Sequence, residues 1–177
     1  MPNTGIAPPG WTGRLVAGLI ILTICLLAVI SAQATPASPA ASLTRSAEVN
    51  APPDQVWALI GPFCAIEKWH PAIASCTEEG NPPVRTLQAK DGKTVFVEPE
   101  VGRSDTERYY AYAFQSSPFP VTDYLATIRV APIGTGRSLV IWSGSYVPNA
   151  GKAEEANKLF AGIYEAGLAA IQEHFAH

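Results

Sequence analysis

Hydrophobic and polar positions along this chain follow two periods. Over 44–50 they alternate, with Ala47 and Val49 on one side and Ser46 and Glu48 on the other, the mark of a half-buried strand. The prolines in 51–54 stop that pattern and open a helix over 54–60, apolar on one side through Val56, Trp57 and Ile60. Gly61 and Pro62 break it. A second short helix, 63–69, ends before Pro71, because the residue preceding a proline is pushed out of the helical region.

Strand signals then follow one another with no helix between them, over 75–79, 84–89, 93–99, 107–115, 123–131 and 138–146. Asp91-Gly92 is a tight-hairpin signal, and Gly134 and Gly136 turn the chain before the last strand. In the third segment Val95 and Val97 stand opposite Phe96 and Glu98. Tyr110, Tyr112 and Phe114 share one face; so do Tyr124, Ala126, Ile128 and Val130, and again Val140, Trp142, Gly144 and Tyr146. Over 153–175 the period becomes helical, with Leu159, Phe160, Ile163, Tyr164, Gly167, Leu168, Ile171 and Phe175 in one broad stripe. The order is strand, two short helices, six strands and a long helix, and the short connections imply consecutive antiparallel hairpins.

A twisted antiparallel sheet with one apolar face needs a cover, and only the last helix is long enough to supply it. A curved sheet gripping a long helix tends to leave space between them. The inward positions are rich in large rings: Tyr110, Tyr112, Phe114, Tyr124, Trp142, Tyr146, Phe160 and Tyr164. Many aromatics with a few hydroxyls suit an elongated apolar cavity with sparse polar anchors. The same residues would equally line a solid core, and the pattern alone does not choose.

The beginning of the chain bears on where it works. Arg14 precedes an unbroken apolar run, 15–30, and Ser31-Ala32-Gln33-Ala34 follows. A charged start, an apolar stretch and an Ala-x-Ala end form a secretory signal, predicting 1–34 as a signal peptide cut after Ala34 and a periplasmic or secreted protein. The alternative is an uncleaved anchor facing outside the cytosol, although the run is shorter than the ~20 residues a spanning helix needs. Cys25 follows bulky Ile24, which argues against a lipid-attached cysteine. The stretch 35–43, small and Pro-rich, reads as a disordered tether, leaving 44–177 as one domain. The net charge is −3, from 12 basic and 15 acidic residues with the basic ones scattered. That argues against nucleic acid and anionic membrane surfaces as partners, and leaves the N-terminal segment as the one membrane contact.

Cys64 and Cys76 remain beyond the signal. An even pair in an oxidising compartment favours a disulfide, and the short helix followed by the Pro71 turn can bring the two together. Two buried small thiols are the other reading. A zinc site is not expected, since only His70 stands near them and a fourth ligand at familiar spacing is lacking.

Four stretches carry a resemblance: Ala51-Pro-Pro-Asp-Gln-Val-Trp-Ala-Leu-Ile60, Phe63-Cys-Ala-Ile-Glu-Lys-Trp-His-Pro-Ala72, Pro120-Val-Thr-Asp-Tyr124 and Trp142-Ser-Gly144. With the element order, they make the chain from residue 44 onward resemble the START-like, helix-grip superfamily, and within it the polyketide cyclase/dehydrase and lipid-transport (SRPBCC) family. The resemblance implies an α+β helix-grip fold: a curved seven-stranded antiparallel sheet around a long C-terminal helix, with two short helices after the first strand. It also implies a cavity that takes lipids, sterols, hormones or polyketides, in which some members catalyse cyclisation or dehydration. Export is a departure from the commoner cytosolic members and fits a biosynthetic polyketide step poorly.

Candidate chemistry is sparse. His70 could act as acid, base or donor to a ligand, or could hold the helix–strand turn through backbone hydrogen bonds. Glu98 could face inward beside Phe96, where burial would raise its pKa and make it an acid, or could be an exposed strand-end carboxylate. Trp69 belongs at the pocket edge, packing or stacking on a ligand, and Phe119 in the Pro-rich loop 117–121 could cap the mouth or sit in an ordinary hairpin connection. Asp123 reads as a turn residue. No phosphate loop, dinucleotide fingerprint, metal motif or Ser-His-Asp order appears, so no cofactor or metal is expected. The sequence thus predicts an exported protein binding a small hydrophobic ligand. A cyclase, dehydratase or isomerase using His70 with Glu98, and a periplasmic helper that binds a redox-enzyme partner, are the alternatives.

Overall fold

Strand β1, Ala41–Val49, lies at one edge of a seven-stranded antiparallel sheet, paired with the last strand from Ala41↔Tyr146 to Val49↔Ser138. A computed structural model of the chain describes residues 38–176. The other strands, β2 (Ile73–Glu79), β3 (Val84–Ala89), β4 (Val95–Ser104), β5 (Tyr109–Ala113), β6 (Val121–Pro132) and β7 (Ser138–Pro148), run as successive hairpins, giving the order β1-β7-β6-β5-β4-β3-β2. Between β1 and β2 come helix α1 (Pro53–Ile60), a 3-10 turn (Phe63–Ala65) and helix α2 (Ile66–Trp69). Helix α3, Ala153–His174, closes the fold. This is the expected α+β helix-grip architecture.

Several boundaries differ from the pattern reading. Strand β1 starts at Ala41, so 41–43 of the expected tether is paired to β7. Backbone pairing, which side-chain alternation does not report, extends the strand. The expected second helix is a 3-10 turn followed by a single α-helical turn. Residues 38–40 of the tether carry no regular secondary structure; the signal-peptide reading of 1–34 and tether residues 35–37 lie outside the described residues, as does His177.

Turn chemistry follows the sequence closely. The Asp91 carboxylate accepts the N–H of Lys93 and of Thr94 and the Thr94 hydroxyl, while Gly92 takes a φ of 71°. The Thr94 hydroxyl and these amides hold the Asp91 carboxyl down at about 2. Asp123, with a φ of 52°, sits where β6 slips register against β7 between Thr122 and Leu125. It is therefore part of a bulge inside a strand rather than a connecting turn.

The sheet buries Tyr124, Ala126, Ile128 and Val130 from β6 and Val140, Trp142 and Tyr146 from β7. Helix α3 turns Ala156, Phe160, Tyr164, Gly167, Leu168 and Ile171 onto that face. Two glycines let the helix come close. A Cβ at Gly144 would collide with the Tyr164 hydroxyl, and one at Gly167 would lie 2.7 Å from both His70 Cδ2 and Trp142 Cζ3. Cys64 and Cys76 form a disulfide with Cα atoms 5.4 Å apart, tying the 3-10 turn to β2. Among the described residues no helix is long and apolar enough to cross a membrane.

Candidate functional site

The grip is incomplete toward the β2–β3–β4 side. There a cavity of about 290 Å3 opens between the sheet, α2 and the first half of α3. Its floor and far wall come from Leu87, Phe96, Tyr112, Tyr124 and Trp142, which point inward because alternate residues of each strand do so. Ile66, His70, Ala72 and Ile73 come from α2 and the start of β2. Leu159, Phe160 and Ile163 come from α3, Phe119 from the loop before β6, and Asp91 and Thr94 from the β3–β4 hairpin. Phe119 is half-buried, with its ring centroid 4.9 Å from that of Phe96 and 5.7 Å from that of Phe160. A shallower open groove of about 480 Å3 continues along α3 past Lys158, Gly162 and Ala166.

One charged pair is built into the wall. Arg85 of β3 and Glu98 of β4 stand directly opposite in the strand register, and both side chains point inward. Arg85 Nε donates to Glu98 Oε2 at 2.7 Å, with side chains 1% and 5% exposed. Arg85 Nη1 donates to the Phe63 carbonyl at 2.7 Å. The guanidinium also lies over the Phe63 ring at 4.2 Å and the Tyr112 ring at 4.7 Å. Burial works against the Arg85 charge, and Glu98 together with Tyr110 and Tyr112 holds it, so Arg85 stays a cation. Burial pushes the Glu98 carboxyl up while Arg85 pulls it back, so its carboxylate form depends on that partner. The exposed reading of Glu98 is thus corrected: its place opposite Arg85, beside Phe96 on the same strand, puts it inside.

A second polar feature is a line of hydroxyls. Trp142 Nε1 donates to the Tyr112 hydroxyl at 3.0 Å; the Tyr112 and Tyr124 hydroxyls are 3.4 Å apart, and Tyr124 and Tyr164 2.8 Å. Burial raises the pKa of all three tyrosines, so they remain neutral phenols.

His70 reaches the wall with both ring nitrogens occupied. Nε2 is 3.1 Å from the Ile163 carbonyl and Nδ1 accepts the Ala72 N–H at 3.2 Å. A carbonyl accepts only, so the proton sits on Nε2 and the ring is neutral. Burial lowers its pKa, the Ile163 carbonyl opposes this, and Arg85 and Lys90 lower it further. The ring therefore ties the α2–β2 turn to α3.

Of the aromatic candidates, Tyr112, Phe114, Phe119, Tyr124, Trp142 and Phe160 lie on the cavity wall. Trp69, Tyr110, Tyr146 and Tyr164 do not, which corrects their expected place. Trp69 packs behind the wall with its ring centroid 5.8 Å from that of Trp142, Tyr110 against Phe63 at 5.5 Å, Tyr146 beneath Phe160 at 4.7 Å, and Tyr164 stacked on Trp142 at 4.6 Å. Periodicity gives the face a residue occupies, whereas the cavity fills only one end of that face. Arg85 escaped the sequence reading altogether, since one arginine in an alternating strand looks like a solvent-facing charge. The available signal was the strand pattern itself, which puts Arg85 in phase with Leu87.

Among the described residues no group of three or more acidic, histidine or cysteine side chains could hold a metal ion.

Comparisons with known proteins agree with this fold. The family described as polyketide cyclase / dehydrase and lipid transport matches residues 40–176. The solved structure of the protein XoxI from Bacillus cereus is 43% identical, with a TM-score of 0.73 over 76% of this chain and 95% of that one. A structure of an uncharacterized protein from Bacillus thuringiensis is 41% identical, with a TM-score of 0.74 over 77% of this chain and 100% of that one. The Zhui aromatase/cyclase from Streptomyces sp. R1128, at 16% identity and a TM-score of 0.64 over 77% of this chain and 93% of its own, shares the fold. A search of curated proteins finds no match.

Proposed function

The chain belongs to the polyketide cyclase / dehydrase and lipid transport family, and on that premise we propose that it binds a small hydrophobic ligand in the cavity between sheet and α3. The observation that carries the reading is the cavity itself: about 290 Å3, walled by Phe96, Phe114, Phe119, Trp142 and Phe160, with most polar groups on its wall paired within the protein. Such a space excludes water from apolar surface and so favours an apolar guest. An acid–base role for His70 is disfavoured, because its ring nitrogens are engaged by the Ile163 carbonyl and the Ala72 amide. A docking role for a redox-enzyme partner has little surface to work with among the described residues. Val95 and Val101 stand apart along β4, and Leu125 is on β6.

Native mass spectrometry of the gently purified chain tests the binding. We expect an adduct of a few hundred daltons that denaturation releases. A bare chain that also fails to take up an added apolar dye would overturn the reading.

The proposed site of action is outside the cytosol, on the strength of the Arg14–Ala34 signal. With Cys64 and Cys76 joined, a denatured but unreduced chain carries one free thiol, Cys25, if the leader remains and none if it is removed. A count of zero on protein recovered from its native compartment is expected, and a count of one would mean a retained segment.

A further inference from the structure

The polar groups on the cavity wall are nearly all satisfied by the protein. His70 is held by Ile163 and Ala72, the Thr94 hydroxyl donates to Asp91 at 2.6 Å, and Trp142, Tyr112, Tyr124 and Tyr164 satisfy one another. The exceptions are Arg85 Nη2, which makes no hydrogen bond among the described residues but belongs to a guanidinium capped by the Phe63 and Tyr112 rings, and Glu98. Glu98 Oε2 accepts from Arg85, but its Oε1 accepts no hydrogen bond among the described residues, although the residue is only 4% exposed and borders the cavity. A carboxylate oxygen that borders the cavity without a donor is open to a guest, and a guest that supplies a donor gains a charge-assisted hydrogen bond.

The charge at this spot is closed. The Arg85 cation is balanced by Glu98 and covered by the rings of Phe63 and Tyr112. An anionic guest would meet the Glu98 carboxylate with no free cation to offset it, and two carboxylates do not share such a site without one being neutralised. Resting on the binding reading above, we infer that the cavity selects an uncharged hydrophobic molecule bearing a hydroxyl, which donates to Glu98 Oε1, and turns away hydrophobic carboxylates.

The competing arrangement leaves a carboxylate at the open side, where Lys158 lines the outer groove and Lys90 is near enough to act on His70.

Three rigid probes of similar size separate these cases: 2-naphthol, naphthalene and 2-naphthoate, titrated against the full-length chain by quenching of tryptophan fluorescence, with Trp142 on the wall as reporter. We expect 2-naphthol to bind about tenfold more tightly than naphthalene, the size of a hydrogen bond to a charged acceptor, and 2-naphthoate at least about tenfold more weakly than 2-naphthol. Glu98→Gln should shrink the naphthol preference to a few-fold. Because that variant leaves Arg85 unpaired, the double variant Arg85→Met/Glu98→Leu is the stronger test. It should bind naphthalene at least as well as the wild type and lose the naphthol preference. Equal binding of naphthol and naphthalene, a persisting preference in the double variant, or naphthoate binding as tightly as naphthol would overturn this inference while leaving the cavity a hydrophobic site. Failure of all three probes to bind would overturn the binding reading as well.

Discussion

Gly167 of α3 lies against the ring of His70 so closely that a Cβ there would sit 2.7 Å from His70 Cδ2, and no farther from Trp142 Cζ3 on the other side. Both obstacles are rigid ring atoms. Helix, turn and sheet therefore meet at a point that only glycine fits. Gly167→Ala should destabilise the fold by about 1–3 kcal/mol through overpacking, although alanine is the better helix former. Gly162, on the same helix, has nothing within 4 Å of the same added atom. Gly162→Ala should stabilise by roughly 0.5–1 kcal/mol. Urea denaturation of the two variants checks the opposite signs; a common sign would refute the contact.

His70 predicts a dependence on pH. Its pKa in the folded state is below the ordinary 6.5, because burial disfavours the imidazolium. The unfolded chain thus binds the proton first. The stability that neutral His70 contributes is complete above about 6.5 and is lost as pH falls through its folded pKa. His70→Gln keeps an N–H for the Ile163 carbonyl but does not titrate, so the difference between wild type and variant should narrow below pH 6.5. A difference that stays constant from pH 7.5 to 5 would show that His70 does not carry the effect. The variant should cost about 1–3 kcal/mol at neutral pH, for the lost Ala72 partner and ring packing.

The Arg85–Glu98 pair should behave as a buried unit. Arg85→Met leaves the carboxylate without its partner and should cost about 3–5 kcal/mol. Arg85→Met/Glu98→Leu removes both charges from the apolar wall and should return to within about 1–2 kcal/mol of the wild type, or exceed it. Thermal melts of Arg85→Met, Glu98→Leu and the double variant give the coupling directly. Additive losses would mean that the residues do not act as a pair.

Reduction of Cys64–Cys76 opens a loop with a sequence separation of 12 and should lower stability by about 3 kcal/mol in the chain-entropy account. Cys64→Ala/Cys76→Ala should reproduce that loss and become insensitive to reductant. Chemical denaturation with and without reductant measures it. The segment released contributes Ile66, His70 and Ile73 to the cavity wall, so apolar-dye binding should weaken along with stability.

The order of elements, the antiparallel hairpins and the buried faces of β6, β7 and α3 were legible in the amino-acid pattern. Alternation and helical spacing are local properties, and an apolar face has to be covered wherever it occurs. Asp91-Gly92 likewise encodes its own turn. The cysteine pair was legible as an option, since proximity of two Cα atoms needs coordinates. Tertiary structure alone decided which inward residues border empty space and which pack solidly. Trp142 and Tyr146 share a face of β7, yet Trp142 reaches the cavity and Tyr146 packs beneath Phe160. It also decided the chemistry of the titratable groups. Glu98 is a paired, buried carboxylate because Arg85 lies opposite it across the β3–β4 ladder, and His70 is a structural tie because the Ile163 carbonyl, far along the chain, comes within 3.1 Å. Sequence sets the periodicity of each segment; pKa, hydrogen bonding and cavity volume depend on distances between segments, which exist only once the chain has closed.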